Sequence, residues 1–156
     1  METLESQRNV IEFEIFGEPV AQGRPRATTI NGHTRVYDPV KSRDYKHYIK
    51  LSATQHRPKE LLNGPLAVEI DIYRPIPKSM PKYKRAWIQN GDLRPVTKPD
   101  VDNYVKGIKD GLSNVIWEDD RQIVDLQVRK WYSDIPRVKV KVESLELNEQ
   151  QQLLKN

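Results

Sequence analysis

Ile11, Phe13 and Ile15 alternate with Glu12 and Glu14 near the start of the chain. A period of two is that of a half-buried strand, so residues 10–16 are predicted as β. The alternation returns at Leu66, Val68, Ile70 and Ile72, set between Ala67, Glu69 and Asp71. It returns again at Val124, Leu126 and Val128, and at Val138, Val140 and Val142. Ser133-Asp134-Ile135-Pro136 separates the last two runs and reads as a turn, so they are expected to pair as a hairpin. Helical spacing replaces alternation from residue 40 to about 56, where Tyr45, Tyr48 or Ile49, and Ser52 or Ala53 share a side. Pro58 bounds that helix. A second helix is expected after Asp102, with Val101, Tyr104 or Val105, Ile108, Leu112 and Val115 on one side. Pro75, Pro77 and Pro81 break regular structure, and residues 81–89 are compatible with a short helix that Gly91 stops. Residues 17–39 form a long excursion in which Asn31-Gly32 predicts a type I′ hairpin.

The order strand, hairpin arm, helix, strand, helix, strand, strand predicts an α+β fold, a small mixed sheet with helices packed on one face. A length of 156 residues suits one domain with a modest core. The domain is expected over residues 1–144, with 145–156 a polar tail that frays. No run of about 18 apolar residues suggests a membrane span, and the acidic METLESQRNV start has no apolar segment of the kind a signal peptide needs.

Charge changes the picture. The net charge of +4 is unevenly spread. Residues 22–50 carry seven Lys or Arg against two Asp, and residues 74–109 carry nine against three. The first eighteen residues hold five Glu against one Arg. Internal basic segments suit a polyanion such as nucleic acid, with phosphates supplying the affinity; solvated loops are the plain alternative. Arg24, Arg26 and Arg35 flank the predicted hairpin, which is either a reader of a DNA groove or backbone, or a surface loop. Lys82, Lys84 and Arg85 stand beside Tyr83 and Trp87, a basic and aromatic mixture that suits nucleic acid, although Trp87 equally fits an anchor to the core. Lys98 joins them as a candidate DNA contact. There is no cysteine, which excludes disulfides and thiolate metal sites and fits a reducing cytoplasm. Three histidines without an HxxxH pair argue against zinc.

Against this basic background, KPDVDNYVKGIKDGL (residues 98–112) and WEDDRQ (residues 117–122) concentrate carboxylates. Pro99 pushes Lys98 towards extended geometry. If extension continues, Asp100 and Asp102 face the same way. A helix starting at Asp102 lets that side chain cap free backbone N–H groups, which makes a purely structural role the competing reading. Glu118, Asp119 and Asp120 come after the helix, where a strand begins. If the strand returns beside the helix, one of them meets Asp100 and Asp102. Three hard oxygen ligands with open positions suit Mg²⁺ or Mn²⁺. Lys106, about one turn or roughly 6 Å beyond Asp102, reaches such a site and stabilises developing charge, or else pairs with Asp102 or Asp110.

The segment KPDVDNYVKGIKDGLSNVIWEDDRQI resembles the signature of RusA-type Holliday-junction resolvases: Pro-Asp-x-Asp-Asn, a lysine four residues on, Asp-Gly/Ala-Leu, then Asp-Asp-x-Gln-Ile/Val. GRPR (residues 23–26) and VYDP (residues 36–39) are similar to the longer phage and Gram-positive members. The resemblance implies a small homodimeric α+β endonuclease that uses Mg²⁺ or Mn²⁺ to nick two opposed strands of a four-way DNA junction, in DNA recombination and repair. It implies action in the cytoplasm of a bacterial or phage-bearing cell. Residue by residue it carries metal binding or catalysis to Asp100, Asp102 and Asp120, and catalytic support to Lys106. Asp119 matches the first acid of the pair without an assigned role. RPVTK before the DxD departs from the arginine-rich run of shorter members, and the arm over residues 22–39 also differs. A non-catalytic nucleic-acid-binding protein with structural aspartates is the alternative. A nucleotide-sugar transferase using DxD fits poorly, because the strand–helix repetition of a nucleotide fold is missing.

Overall fold

In the computed structural model, β4 (Leu66–Pro75) is the strand about which the rest is arranged. The structure describes residues 9–23, 26–37 and 40–147 together with Leu153, the side chains of residues 26, 36 and 37 excepted. Leu66, Val68, Ile70 and Ile72 point to one face of β4, and each is at most 1% exposed. Burying a side chain of this kind contributes about 1.5–3 kcal/mol, so this one face is worth more than any surface pairing in the molecule. β1 (Val10–Phe16), β5 (Ile123–Ser133) and β6 (Arg137–Ser144) complete a sheet in the order β1-β6-β4-β5. Only β4 and β5 run parallel. Two helices, α1 (Val40–Thr54) and α3 (Val101–Leu112), pack together against the buried face. Gly111 lets them approach: a Cβ there would lie 2.7 Å from Ile49 Cγ2. The α+β class and the mixed sheet with helices on one face agree with the sequence pattern.

The expected hairpin of the last two strands is not formed. β6 lies between β1 and β4, and β5 is on the far side of β4. Alternation fixes which face a residue takes but not which strand is its neighbour. Pro75 ends β4 level with Ser133, and this lets residues 134–136 cross its end. β5 is therefore an edge strand, and Val124 and Leu126, expected inside, are 64% and 43% exposed.

The other face of the sheet is polar and cross-linked. Arg129 donates to Asp71 at 2.6 Å and to Glu69 at 3.1 Å, and Trp131 Nε1 donates to Asp71 at 2.8 Å. Burial alone raises the Asp71 carboxyl, but the Arg129 and Trp131 hydrogen bonds outweigh it, so Asp71 sits below its ordinary value. These contacts tie β4 to β5.

The hairpin arm pairs β2 (Arg26–Ile30) with β3 (His33–Tyr37) in its own two-stranded sheet. Asn31 (φ 53°) and Gly32 (φ 79°) are both left-handed, as a type I′ turn demands. After β4, a 3₁₀ turn (Lys82–Lys84) leads into α2 (Arg85–Gln89), and Gly91 (φ 78°) lies just beyond it. Ile88, 8% exposed, anchors this segment; Trp87, 47% exposed, does not. Most of the expected polar tail, together with Arg24, Pro25, Asp38 and Pro39, lies outside the described residues.

Candidate active site

α3 begins at Val101, so Asp100 is its N-cap, with extended backbone (φ −71°, ψ 158°) after a cis Lys98–Pro99 peptide. The shared face expected of Asp100 and Asp102 on an extended backbone therefore does not apply: Asp102 already lies in the first helical turn. The Asp100 side chain accepts no capping hydrogen bond. A cap of this type contributes about 1 kcal/mol, and Asp100 forgoes it. Both aspartates are exposed, and among the described residues no ion pair or side-chain hydrogen bond engages either. Lys106, one turn further, is also exposed. It pairs with neither Asp102 nor Asp110; Asp110 instead approaches Lys46 of α1 at 3.9 Å.

The loop that presents Asp100 is held through its backbone by cations that the sequence pattern does not single out. Arg74 Nη1 donates to the Thr97 carbonyl at 3.1 Å. Lys130 Nζ donates to the Thr97 and Pro99 carbonyls, each at 3.1 Å. Arg94 Nε donates to the Lys130 carbonyl at 3.0 Å and stacks its guanidinium 3.8 Å from the Trp131 ring. Asp100 is thereby fixed beside the C-terminal end of β5.

The arm departs from the same place. Gln22 N–H donates to the Asn103 carbonyl at 2.9 Å, and Gly23 N–H donates to Ser42 Oγ at 2.8 Å. Arg24 and the Arg26 side chain lie outside the described residues, and Arg35 is exposed on β3. Lys98 is exposed beside Asp100. Lys82 and Arg85 are exposed and Lys84 is half-buried; Arg85 reaches Asp134 at 3.5 Å, and Tyr83 meets Trp87 edge to face at 5.8 Å.

Asp120 is elsewhere. It opens a 3₁₀ turn (Asp120–Gln122) immediately before β5. Its Oδ1 accepts a 2.8 Å hydrogen bond from Nε1 of Trp117, a side chain with no exposed surface. The neighbouring Asp119 has a different role. Its carboxylate accepts from Arg121 N–H at 2.8 Å, and Gln122 Oε1 accepts from Asp119 N–H at 2.7 Å, forming a capping box. The Arg121 backbone N–H holds the Asp119 carboxyl below its usual value, with the Arg121 charge assisting. Gln122 also donates to the carbonyls of Leu62 and Gly64. Within DDRQ, then, Asp119 and Gln122 shape the turn, and Asp120 is left to face outward from a buried indole.

Asp120 shares a depression with Asp110, Ser113 and Asn114, at the C-terminal end of α3. Asp102 to Asp110 is eight residues, or about 12 Å of helix. Among the described residues no three His, Asp or Glu side chains are placed to hold one metal ion. The expectation that the returning strand brings Asp120 to Asp100 and Asp102 within one chain is not met. β5 does return antiparallel to α3, but the turn that carries Asp120 is at the opposite end of the helix from the cap.

The model of the family described as endodeoxyribonuclease RusA matches residues 17–143, which takes in both carboxylate motifs and, among the described strands, β2 to β5 with all but the last residue of β6. The chain belongs to the RusA family. An uncharacterized protein of Bacillus subtilis (strain 168), YqaN, is 52% identical over 134 residues, 85% of this chain and 94% of that protein. A crossover junction endodeoxyribonuclease, rusA, of Lactococcus phage r1t is 26% identical over 134 residues, 84% of this chain and 94% of that protein. In this RusA-family chain, no helix among the described residues is long and apolar enough to cross a membrane.

Proposed function

We propose that the protein is a metal-dependent endonuclease that resolves four-way DNA junctions by paired nicks, acting as a homodimer in recombination and repair in the cytoplasm. The observation that carries this reading is the pair of exposed carboxylates at the start of α3, which neither cap the helix nor pair with a base. Family membership and the activity named for the phage relative point the same way.

The donor chemistry fits Mg²⁺ or Mn²⁺. These ions take carboxylate oxygens and keep several waters, so two aspartates and a substrate phosphate make a workable set. A cation held there supplies polarisation of the phosphoryl oxygen and a more acidic attacking water. Asp100 and Asp102 hold and orient it. Lys106, on the same outward side of α3, sets an ammonium against the charge that grows on the phosphoryl oxygens. Lys98, the arm and the Lys82–Arg85 segment hold the DNA backbone.

Asp120 enters through a second copy. Among the described residues β5 presents an open edge of backbone hydrogen-bonding groups, with Val124 and Leu126 exposed along it. Asp120 stands before its start, and Lys130 near its end holds the loop that carries Asp100. Two β5 edges paired antiparallel about a two-fold axis bring the start of one strand to the end of the other. Each Asp100–Asp102 pair then faces the partner's Asp120. The dimer has two complete centres, one for each nick.

A nicking assay across four-way junction, flap, fork and linear duplex tests the reading. Paired cuts at opposed junction strands are expected in Mg²⁺ or Mn²⁺; metal-independent binding without cleavage would leave a non-catalytic DNA-binding protein. Lys106→Ala should lower the cleavage rate by roughly 10²–10³, the scale for one lost transition-state donor, with far less effect on affinity. A loss confined to binding would make Lys106 a simple phosphate contact. Trp117→Phe removes the hydrogen bond that orients Asp120. It should raise the metal concentration needed for half-maximal cleavage by about 10–100-fold, the usual cost of losing a partner behind a ligand. A lower melting temperature with an unchanged metal requirement would reduce Trp117 to packing.

A further inference from the structure

The depression that holds Asp120 has a second wall, and the reaction proposed above makes no use of it. α1 contributes Arg43, Lys46, His47 and Lys50 to it. Tyr45, Ile49 and Ala53 turn to the core, so the basic side chains occupy the outward side of the helix. Arg43, His47 and Lys50 succeed one another at spacings of four and three, the rule for neighbours on a helical surface. All three are exposed. On this face Lys46 pairs with Asp110 at 3.9 Å, and among the described residues neither Arg43 nor Lys50 is ion-paired. Arg43 and Lys50 are separated by about 10 Å along the axis, about three nucleotide steps of a DNA strand at a rise of roughly 3.4 Å each. Ser113 and Asn114 on the opposite wall add a hydroxyl and an amide that can donate to phosphate oxygens.

We infer that the outward face of α1, through Arg43, His47 and Lys50, is a contact for the phosphate backbone of a DNA duplex arm and seats the strand that passes Asp120. The inference rests on the junction-nuclease reading and adds a surface to it. Basic side chains beside a carboxylate that no ion pair engages among the described residues are what a phosphodiester track needs: Arg43 and Lys50 draw the backbone in, and Asp120 keeps its charge for its own work. Arg43 offers a planar fork of donors to a phosphate, and Lys50 a mobile point charge. An acidic protein would find the same charges but would have no reason to lie against Asp120.

The test is the salt dependence of binding to a labelled four-way junction and to linear duplex, in chelator so that no cleavage occurs. Wild type is compared with Arg43→Gln/Lys50→Gln and with Lys139→Gln/Lys141→Gln, which removes the same charge from the opposite face of the sheet. Loss of two phosphate contacts should lower the slope of log affinity against log salt by about 1.8, or 0.9 for each. The Lys139/Lys141 variant should keep the wild-type slope. Equal slopes in all three proteins, or an equal fall in both variants, would overturn the α1 contact. Wild type that binds junction and linear duplex alike would count against the junction reading alone, because the slope difference on either DNA still reports α1. Binding to neither DNA would overturn both.

Discussion

Asn at Asp100, Asp102 or Asp120 is expected to remove cleavage and to leave junction binding intact or tighter. An amide keeps the shape of the side chain and removes the charge that holds the cation. Asp100 and Asp102 lose no hydrogen bond, since neither makes one through its side chain. Asp120→Asn retains an oxygen that can still accept from Trp117 Nε1, so the turn before β5 should survive. Substitutions at sites like these usually change stability by within about 0.5 kcal/mol, so melting temperatures should stay close to wild type. Removing negative charge next to DNA phosphates favours binding, which is why affinity should hold or rise. The measurements are single-turnover cleavage of a mobile four-way junction in Mg²⁺ and a parallel binding titration in chelator. Near-normal turnover in two of the three variants would sink the metal-site reading.

The sequence pattern carried β1, α1, β4 and the type I′ arm because each owes its form to local information. Ile11 to Ile15 and Leu66 to Ile72 alternate against a buried face, and Asn31-Gly32 has the conformational freedom its turn requires. It failed at β5 for a reason of the same kind. Val124 and Leu126 have the alternation of buried residues, but whether an alternating strand is buried depends on what lies beyond it, and among the described residues β5 has a neighbour on one side only. The site divides similarly. Motif spacing singled out Asp100, Asp102, Lys106 and Asp120, while the distance of Asp120 from the two aspartates of the cap follows from α3, which carries the chain away from that cap before the turn begins. Arg74, Arg94 and Lys130 position the Asp100 loop through backbone carbonyls, and no side-chain pattern marks a residue whose partner is a carbonyl. WEDDRQ was conspicuous for its acids, yet its tryptophan is what aims Asp120.

Mixing two inactive variants should restore activity. If each centre takes Asp100 and Asp102 from one chain and Asp120 from its partner, a dimer of Asp102→Asn with Asp120→Asn has unequal halves. One centre draws Asp102 from the Asp120→Asn chain and Asp120 from the Asp102→Asn chain, and so is intact. The other has lost both. Co-refolded or co-expressed variants should therefore recover nicking where each alone has none, and random exchange makes about half of the dimers mixed. With one intact centre per mixed dimer, a cruciform plasmid should yield nicked circles and little linear product, whereas wild type should make the linear form by two cuts in one bound complex. Were each centre built within one chain, every chain in the mixture would carry a defect and nothing would be restored. Leu126→Glu, which puts a charge on the exposed edge of β5, separates the two steps: it should raise the concentration at which the mixed dimers form. Sedimentation equilibrium reads that shift directly. Restored nicking that is indifferent to Leu126→Glu would keep the shared centre and move the contact away from β5, while a mixture that stays silent would return Asp120 to a role within its own chain.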